Sequence, residues 1–179
     1  DARRTAWAQQ NVGYTLQGQG RYAEAITYLT AAAATLDGLG DAANAAIVRM
    51  NLARTYHLDG QLALALTTGL AAYQALHTVG DQLHLARLAS NLGLTHLALG
   101  DADAALTAFQ ESVSLFADLG SAAGRLNASS GVAMAYLALR DYAGAAAVLA
   151  PALDELALLD DVPGKAALLD AMRTSLATA

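Results

Sequence analysis

The chain repeats itself every forty residues, and that period restricts it to architectures built by stacking one small unit. Four copies follow one another without a gap. They read NVGYTLQGQGRYAEA from Asn11, NLARTYHLDGQLALA from Asn51, NLGLTHLALGDADAA from Asn91 and GVAMAYLALRDYAGA from Gly131. Asn recurs at 11, 51 and 91, and a small residue recurs at Gly13, Ala53, Gly93 and Ala133. Gly20, Gly60 and Gly100 share a phase in which Arg140 is the fourth member, and Ala25, Ala65, Ala105 and Ala145 share another. A period of roughly 20–50 residues marks a repeat array, in which each unit buries its apolar face against its neighbours.

The breakers keep the same period. Gly40, Gly80 and Gly120 each follow an apolar residue and precede Asp41, Asp81 or Ser121. Glycine ends a helix because it accepts the left-handed conformation at no steric cost, and Asp or Ser starts the next by capping free backbone N–H groups. Between the breakers the chain is dominated by helix formers, with 45 Ala and 32 Leu among 179 residues. Sparse β-branched and aromatic residues argue against a β-sandwich. The spacing predicts helices over 2–18, 21–38, 42–58, 61–78, 82–99, 102–118, 122–139 and 142–159, and a ninth over 164–177 after Pro163 and Gly164. Each of the eight is roughly 27 Å long at about 1.5 Å per residue. Two-residue connections make neighbours antiparallel. The expected fold is all-α: a right-handed superhelical solenoid of four helix pairs (1–39, 40–79, 80–119 and 120–160) and a capping helix over 162–179, together one domain over 1–179. Pro151 falls inside the eighth helix, where it removes one hydrogen bond and predicts a kink.

The pattern resembles the tetratricopeptide repeat family, whose signature runs L-G-x-x-Y, then G, A, an aromatic residue and A. The third copy carries it as Leu92, Gly93, His96, Gly100, Ala105, Phe109 and Ser112; the second as Leu52, Ala53, Tyr56, Gly60, Ala65, Gly69 and Ala72. The usual tryptophan position holds Gln9, Arg49, Ala89 and Ser129, a departure, and the period is forty rather than the usual length. The longer unit is similar to the kinesin light chain subgroup and to the C-terminal arrays of bacterial signalling ATPases and transcription regulators. HEAT and armadillo arrays have similar periods but lack this Gly/Ala phasing.

The resemblance implies a non-enzymatic module that binds a peptide or protein segment in a concave groove lined by the first helix of each pair. Projected along one helical face, that wall holds Arg4, Trp7, Asn11 and Tyr14; Asn44, Ile47, Asn51 and Arg54; His84, Arg87, Asn91 and Leu94; and Gly124, Asn127, Gly131 and Met134. The first-helix interiors contain six Arg and no Asp or Glu, although the net charge is −6. Acids concentrate at helix starts for reasons of the macrodipole, but that does not account for the Arg content. Arginine offers bidentate donors to carboxylates, so an acidic or carboxylate-bearing partner is expected. Mid-helix Asn costs roughly 0.5 kcal/mol or more relative to Ala. Three at one phase have two readings. In peptide-binding members of the family, Asn at this phase clamps the partner's backbone, which would assign Asn11, Asn51 and Asn91 that role and Arg54, Arg87 and Tyr14 specificity. In the other reading each Asn bonds the neighbouring repeat.

Other chemistry is not legible. There is no Cys, no phosphate loop and no nucleophile elbow. The four His (57, 77, 84 and 96) include no pair at helical metal-site spacing, so no metal or cofactor is expected. An acidic chain is a poor match for a nucleic-acid backbone. Gln61 to Gly80 lacks charge over a membrane-spanning length, but its Gln, Thr and His residues and its place in the repeat favour an ordinary helix of the array. No membrane partner is expected, and without a leader-like segment a cytoplasmic protein is; the resemblance to bacterial regulator arrays implies a bacterial one. An open solenoid end would offer a homodimer contact. The alternative is a sensing domain cut from a larger bacterial transcription regulator or signalling ATPase.

Overall fold

Each forty-residue unit folds as two helices closed by the same local chemistry. The computed structural model describes residues 1–159 and 165–178. Among these, the elements are α1 (Ala2–Gly18), α2 (Tyr22–Gly38), α3 (Ala42–Leu58), α4 (Leu62–Val79), α5 (Gln82–Ala98), α6 (Ala102–Asp118), α7 (Ala122–Ala138), α8 (Tyr142–Leu158) and α9 (Lys165–Thr178), with no strand. The predicted boundaries hold to within a residue. Pro163 and Gly164, expected to introduce α9, lie outside the described residues. α8 continues through Pro151, which is exposed.

The turns show why. In each of the first seven connections an N–H reaches back five residues, as from Arg21 to the Leu16 carbonyl at 2.9 Å and from Asp101 to His96 at 2.9 Å. That closure needs a left-handed residue. Gly20, Gly40, Gly60, Gly80, Gly100 and Gly120 supply it with φ between 66° and 83°, and Arg140 is forced to φ 60° in the seventh turn. The Asp41, Asp81, Asp101 and Asp141 carboxylates and the Ser121 hydroxyl then accept the backbone N–H three residues on. Left-handed backbone costs a residue with a Cβ about 1–2 kcal/mol, and glycine's greater freedom in the unfolded chain offsets part of that. Arg140→Gly should therefore raise the unfolding free energy by about 1 kcal/mol, or roughly 2–4 °C in melting temperature for a chain of this size. Thermal unfolding that leaves the variant no more stable would contradict this account of the turn.

Packing alternates in two modes. Within a pair, the small residue of the first helix lets the second approach: a Cβ on Gly13 would stand 2.7 Å from Leu29 Cγ. Between pairs, each second helix lays a stripe on the next first helix. Leu29, Ala32 and Leu36 meet Ala45, Val48 and Leu52; Ala72 and Leu76 meet Leu85, Leu88 and Leu92. These side chains are almost wholly buried, and each large one contributes roughly 1.5–3 kcal/mol. First helices also touch in sequence, α1 to α3, α3 to α5, α5 to α7 and α7 to α9. The result is an all-α superhelix of tetratricopeptide-like helix pairs. α4 has the length and apolarity of a membrane span, and it sits in the array as the second helix of the second pair.

α9 is more than a lid. Counting in forties, Met172 follows Val12, Leu52, Leu92 and Val132, and Met172 is buried against Leu149, Ala152 and Leu156 of α8. So α9 takes the place of a fifth first helix. Arg173 stands where the other first helices have Gly13, Ala53, Gly93 and Ala133, and it is exposed together with Ala166 and Asp170. Arginine at this phase contrasts with the small residues through which the other first helices receive their paired second helix. Leu168 and Leu169 are partly buried, Ala167 is exposed, and the side chain of Leu176 lies outside the described residues.

Candidate peptide-binding face

The expected wall residues divide by what already holds them. Arg3 is 3.4 Å from the Asp41 carboxylate, Arg49 pairs with Asp37 on the preceding second helix, and Arg125 pairs with Glu155. Arg4 is near Asp1 at 3.9 Å, both exposed. Arg54 and Arg87 remain exposed with no carboxylate partner among the described residues. Arg54 Nη1 makes a long contact, 3.5 Å, with Asn91 Oδ1, which ties the second copy to the third.

The asparagine row is mostly unengaged. The side-chain amides of Asn11, Asn51 and Asn127 have no hydrogen-bond partner among the described residues; Asn11 and Asn127 are exposed and Asn51 is half-buried. Asn91 accepts from Arg54 alone. Trp7 and Tyr14 are exposed aromatics on α1. Two other expected site residues have structural tasks: Asn44 Nδ2 donates to the capping Asp41 carboxylate at 2.9 Å, and His84 Nδ1 lies 2.7 Å from the capping Asp81. Burial pushes the Asp81 carboxyl up, but the His84 backbone N–H and ring outweigh it and hold the group below its ordinary value. The signal for both was the three-residue spacing from an N-cap Asp.

A polar ladder not anticipated from sequence runs beside the row. Gln17 Nε2 donates to Thr55 Oγ1 at 2.8 Å, and His57 Nδ1 lies 3.2 Å from Thr95 Oγ1. Thr55 and Thr95 share one phase, and Gln17 and His57 share another. Burial, and then the charge of Arg54, lower the His57 pKa. Near neutral pH His57 therefore adds little positive charge beside Arg54. Across the second helices, Tyr73 donates to Glu111, and that bond first, burial second, pushes the phenol up to about 12. A groove of about 460 Å³ opens between α2 and α4, lined by Thr30, Ala33, Ala34, Asp37, Arg49, Leu52, Thr67, Thr68 and Ala71. Its lining includes the Arg49–Asp37 ion pair and none of the row's asparagines. Among the described residues no group of three His, Asp or Glu is arranged to hold a metal.

An array of this kind, with polar and basic side chains carried on first helices, defines an all-α helical-repeat protein. Tetratricopeptide repeat models match residues 4–77 and 86–119, more than half of the chain. The chain belongs to the tetratricopeptide repeat family. No curated protein matches the sequence. Among solved structures, the fold is similar to the Q17M form of a Podosopora anserina putative kinesin light chain with nearly identical TPR-like repeats. The identity is 19%, over 99% of this chain and 88% of that one, with a TM-score of 0.80. BtubC (BKLC) from P. vanneervenii matches at 16% identity, over 99% and 79%, TM-score 0.70. Aspartyl phosphate phosphatase F from Bacillus subtilis matches at 17%, over 99% of this chain and 49% of that chain, TM-score 0.77. At these identities the likeness is one of fold. The family supports a protein–protein interaction scaffold.

Proposed function

We propose that the chain is a non-enzymatic scaffold that binds an extended, acidic peptide or protein segment along the wall formed by its first helices. The observation that carries this reading is the sorting of the arginines. Those that the fold uses are paired with its own carboxylates, whereas Arg54 and Arg87 have no acidic partner among the described residues. They lie beside an asparagine row whose amides are largely unused. An amide offers donor and acceptor together and matches the N–H and C=O of an extended backbone. In this reading Asn11, Asn51 and Asn91 hold the backbone. Arg54 and Arg87 take the carboxylates, and Trp7, Tyr14 and Asn127 supply contacts toward the two ends. Asn44 and His84 shape the helix starts behind the wall.

The test is selection from a random peptide library on the immobilised chain and on an Arg54→Ala/Arg87→Ala double variant. Enrichment of Asp and Glu next to apolar residues is expected on the first and is expected to vanish on the second. Equal enrichment on both, or none toward acids, would contradict the proposal.

A further inference from the structure

Positive charge on the first-helix wall is concentrated at one place. Of the wall arginines, Arg4 stands 3.9 Å from Asp1, whereas Arg54 and Arg87 have no carboxylate partner among the described residues. These two address a single residue. Arg54 reaches from α3 across to α5, where its Nη1 lies 3.5 Å from Asn91 Oδ1. Arg87 stands one helical turn before Asn91 on α5, a spacing that puts Cβ atoms about 5–6 Å apart on the same face. Toward the first pair the wall continues as Trp7, Tyr14 and Ile47, and toward the fourth as Leu94, Asn127 and Met134, none of them charged.

The charge and donors at this point are more than one carboxylate balances. A carboxylate brings one negative charge and two oxygens, and a single bidentate guanidinium engages both. Here there are two guanidinium groups. The contact from Arg54 uses Asn91 Oδ1, so the Asn91 Nδ2 donors are left without a partner among the described residues. Two acidic residues of an extended segment do not answer this arrangement either. Successive side chains point to opposite faces, and the next one on the same face is about 6.6 Å further along, so the second charge leaves the place that the first occupies. A phosphorylated side chain delivers both charges at one point. It carries about −1.5 to −2 near neutral pH and three strong acceptor oxygens, enough for both arginines and an amide N–H.

We infer that Arg54, Arg87 and Asn91 form one site for a phosphoryl group on a side chain of the bound segment, with apolar residues of that segment on either side. The inference rests on the extended-segment reading and adds to it that the recognised acid is a single, doubly charged group. The partner is then bound in its phosphorylated form. Glutamate at the same place supplies about half of the charge and leaves one arginine unanswered.

The test uses three pools of nine-residue peptides, alike except that the central residue is phosphoserine, glutamate or serine. Every other position is randomised without Asp or Glu. Each pool is passed over the immobilised chain and over its Arg54→Ala, Arg87→Ala and Arg49→Ala variants, each first shown by circular dichroism to be folded. Retention of the phosphoserine pool is expected to exceed that of the glutamate pool at least tenfold. The ratio is expected to fall below threefold in Arg54→Ala and in Arg87→Ala, and to persist in Arg49→Ala, whose arginine is paired with Asp37. Equal retention of the phosphoserine and glutamate pools would overturn the inference and leave the acidic-segment reading in place. Retention of neither above the serine pool would overturn it as well, while the unrestricted random library decides the acidic-segment reading separately. A ratio unchanged in both Arg54→Ala and Arg87→Ala would place the phosphoryl group elsewhere and overturn the site. Displacement of retained phosphoserine peptides by an equal concentration of inorganic phosphate would assign the site to the free anion and overturn the segment as its source.

Discussion

Phe109→Ala is expected to lower the unfolding free energy by about 3–5 kcal/mol, a large share of the roughly 5–15 kcal/mol that holds a typical domain together. Phe109 is among the largest fully enclosed side chains of the array. Its ring lies against the backbone of Gly93 in its own pair and Gly131 in the next; a Cβ at either glycine would stand 2.8 Å or 2.3 Å from ring carbons. Truncation therefore leaves a cavity walled by helix backbone, which relaxes little. It also cuts the link between two repeats, and an array is stable only through such nearest-neighbour links. Gly131→Ala probes the same contact from the other side. In an exposed helix that change would gain roughly 1 kcal/mol; here the added methyl must displace the ring, and a loss of about 1–3 kcal/mol is expected instead. Urea unfolding followed by circular dichroism measures both. A loss below about 1 kcal/mol for Phe109→Ala would mean that the third and fourth pairs are held together elsewhere.

Removing Arg54 and Arg87 together is expected to cost more binding free energy than any other pair of wall substitutions. A desolvated arginine contact is worth about 2 kcal/mol or more, roughly thirtyfold in affinity, while a charge at the rim costs little. Neither arginine has an acidic partner to strand among the described residues, so each alanine variant should leave the melt nearly unchanged. Arg49→Ala and Arg125→Ala are the contrasting cases. Each arginine is spent on an internal carboxylate, and replacing it should leave the acidic segment's affinity within about twofold, given the small energies of partly exposed ion pairs. Titration calorimetry with a segment from the library separates the two sets. Equal losses from all four arginines would show a general field effect rather than a wall.

The helices and turns were legible because their causes are local. A left-handed glycine, a capping Asp and a leucine stripe each act within a few residues, so the boundaries of α1 to α8 follow from the spacing alone. Arg140 was visible as the odd member of a glycine phase, and its positive φ is the physical consequence. The wall was legible only as a set of candidates. Whether an arginine is available depends on carboxylates at distant positions in the chain, such as Asp37 for Arg49 and Glu155 for Arg125, and forty-residue phasing carries no information about that pairing. The Gln17–Thr55 and His57–Thr95 ladder was not legible because the partners of the phase-sharing threonines change type, Gln in one copy and His in the next, and each bond joins residues 38 apart. For α9, the signal was present in the same period that revealed the other copies: Met172 and Arg173 fall in phase with Val132 and Ala133.

The central claim is that the asparagine row serves a bound segment rather than the fold, and Asn51→Ala tests it most directly. Asn51 has no side-chain partner among the described residues, and Ala is the better helix former by roughly 0.5 kcal/mol. With both affinity for the acidic segment and thermal stability measured on the same variant, the account predicts a melt that is equal or higher. It also predicts affinity lower by about 1 kcal/mol, near fivefold, for the lost backbone hydrogen bonds. A variant destabilised by more than about 1 kcal/mol with affinity untouched would make the row structural and would contradict the account.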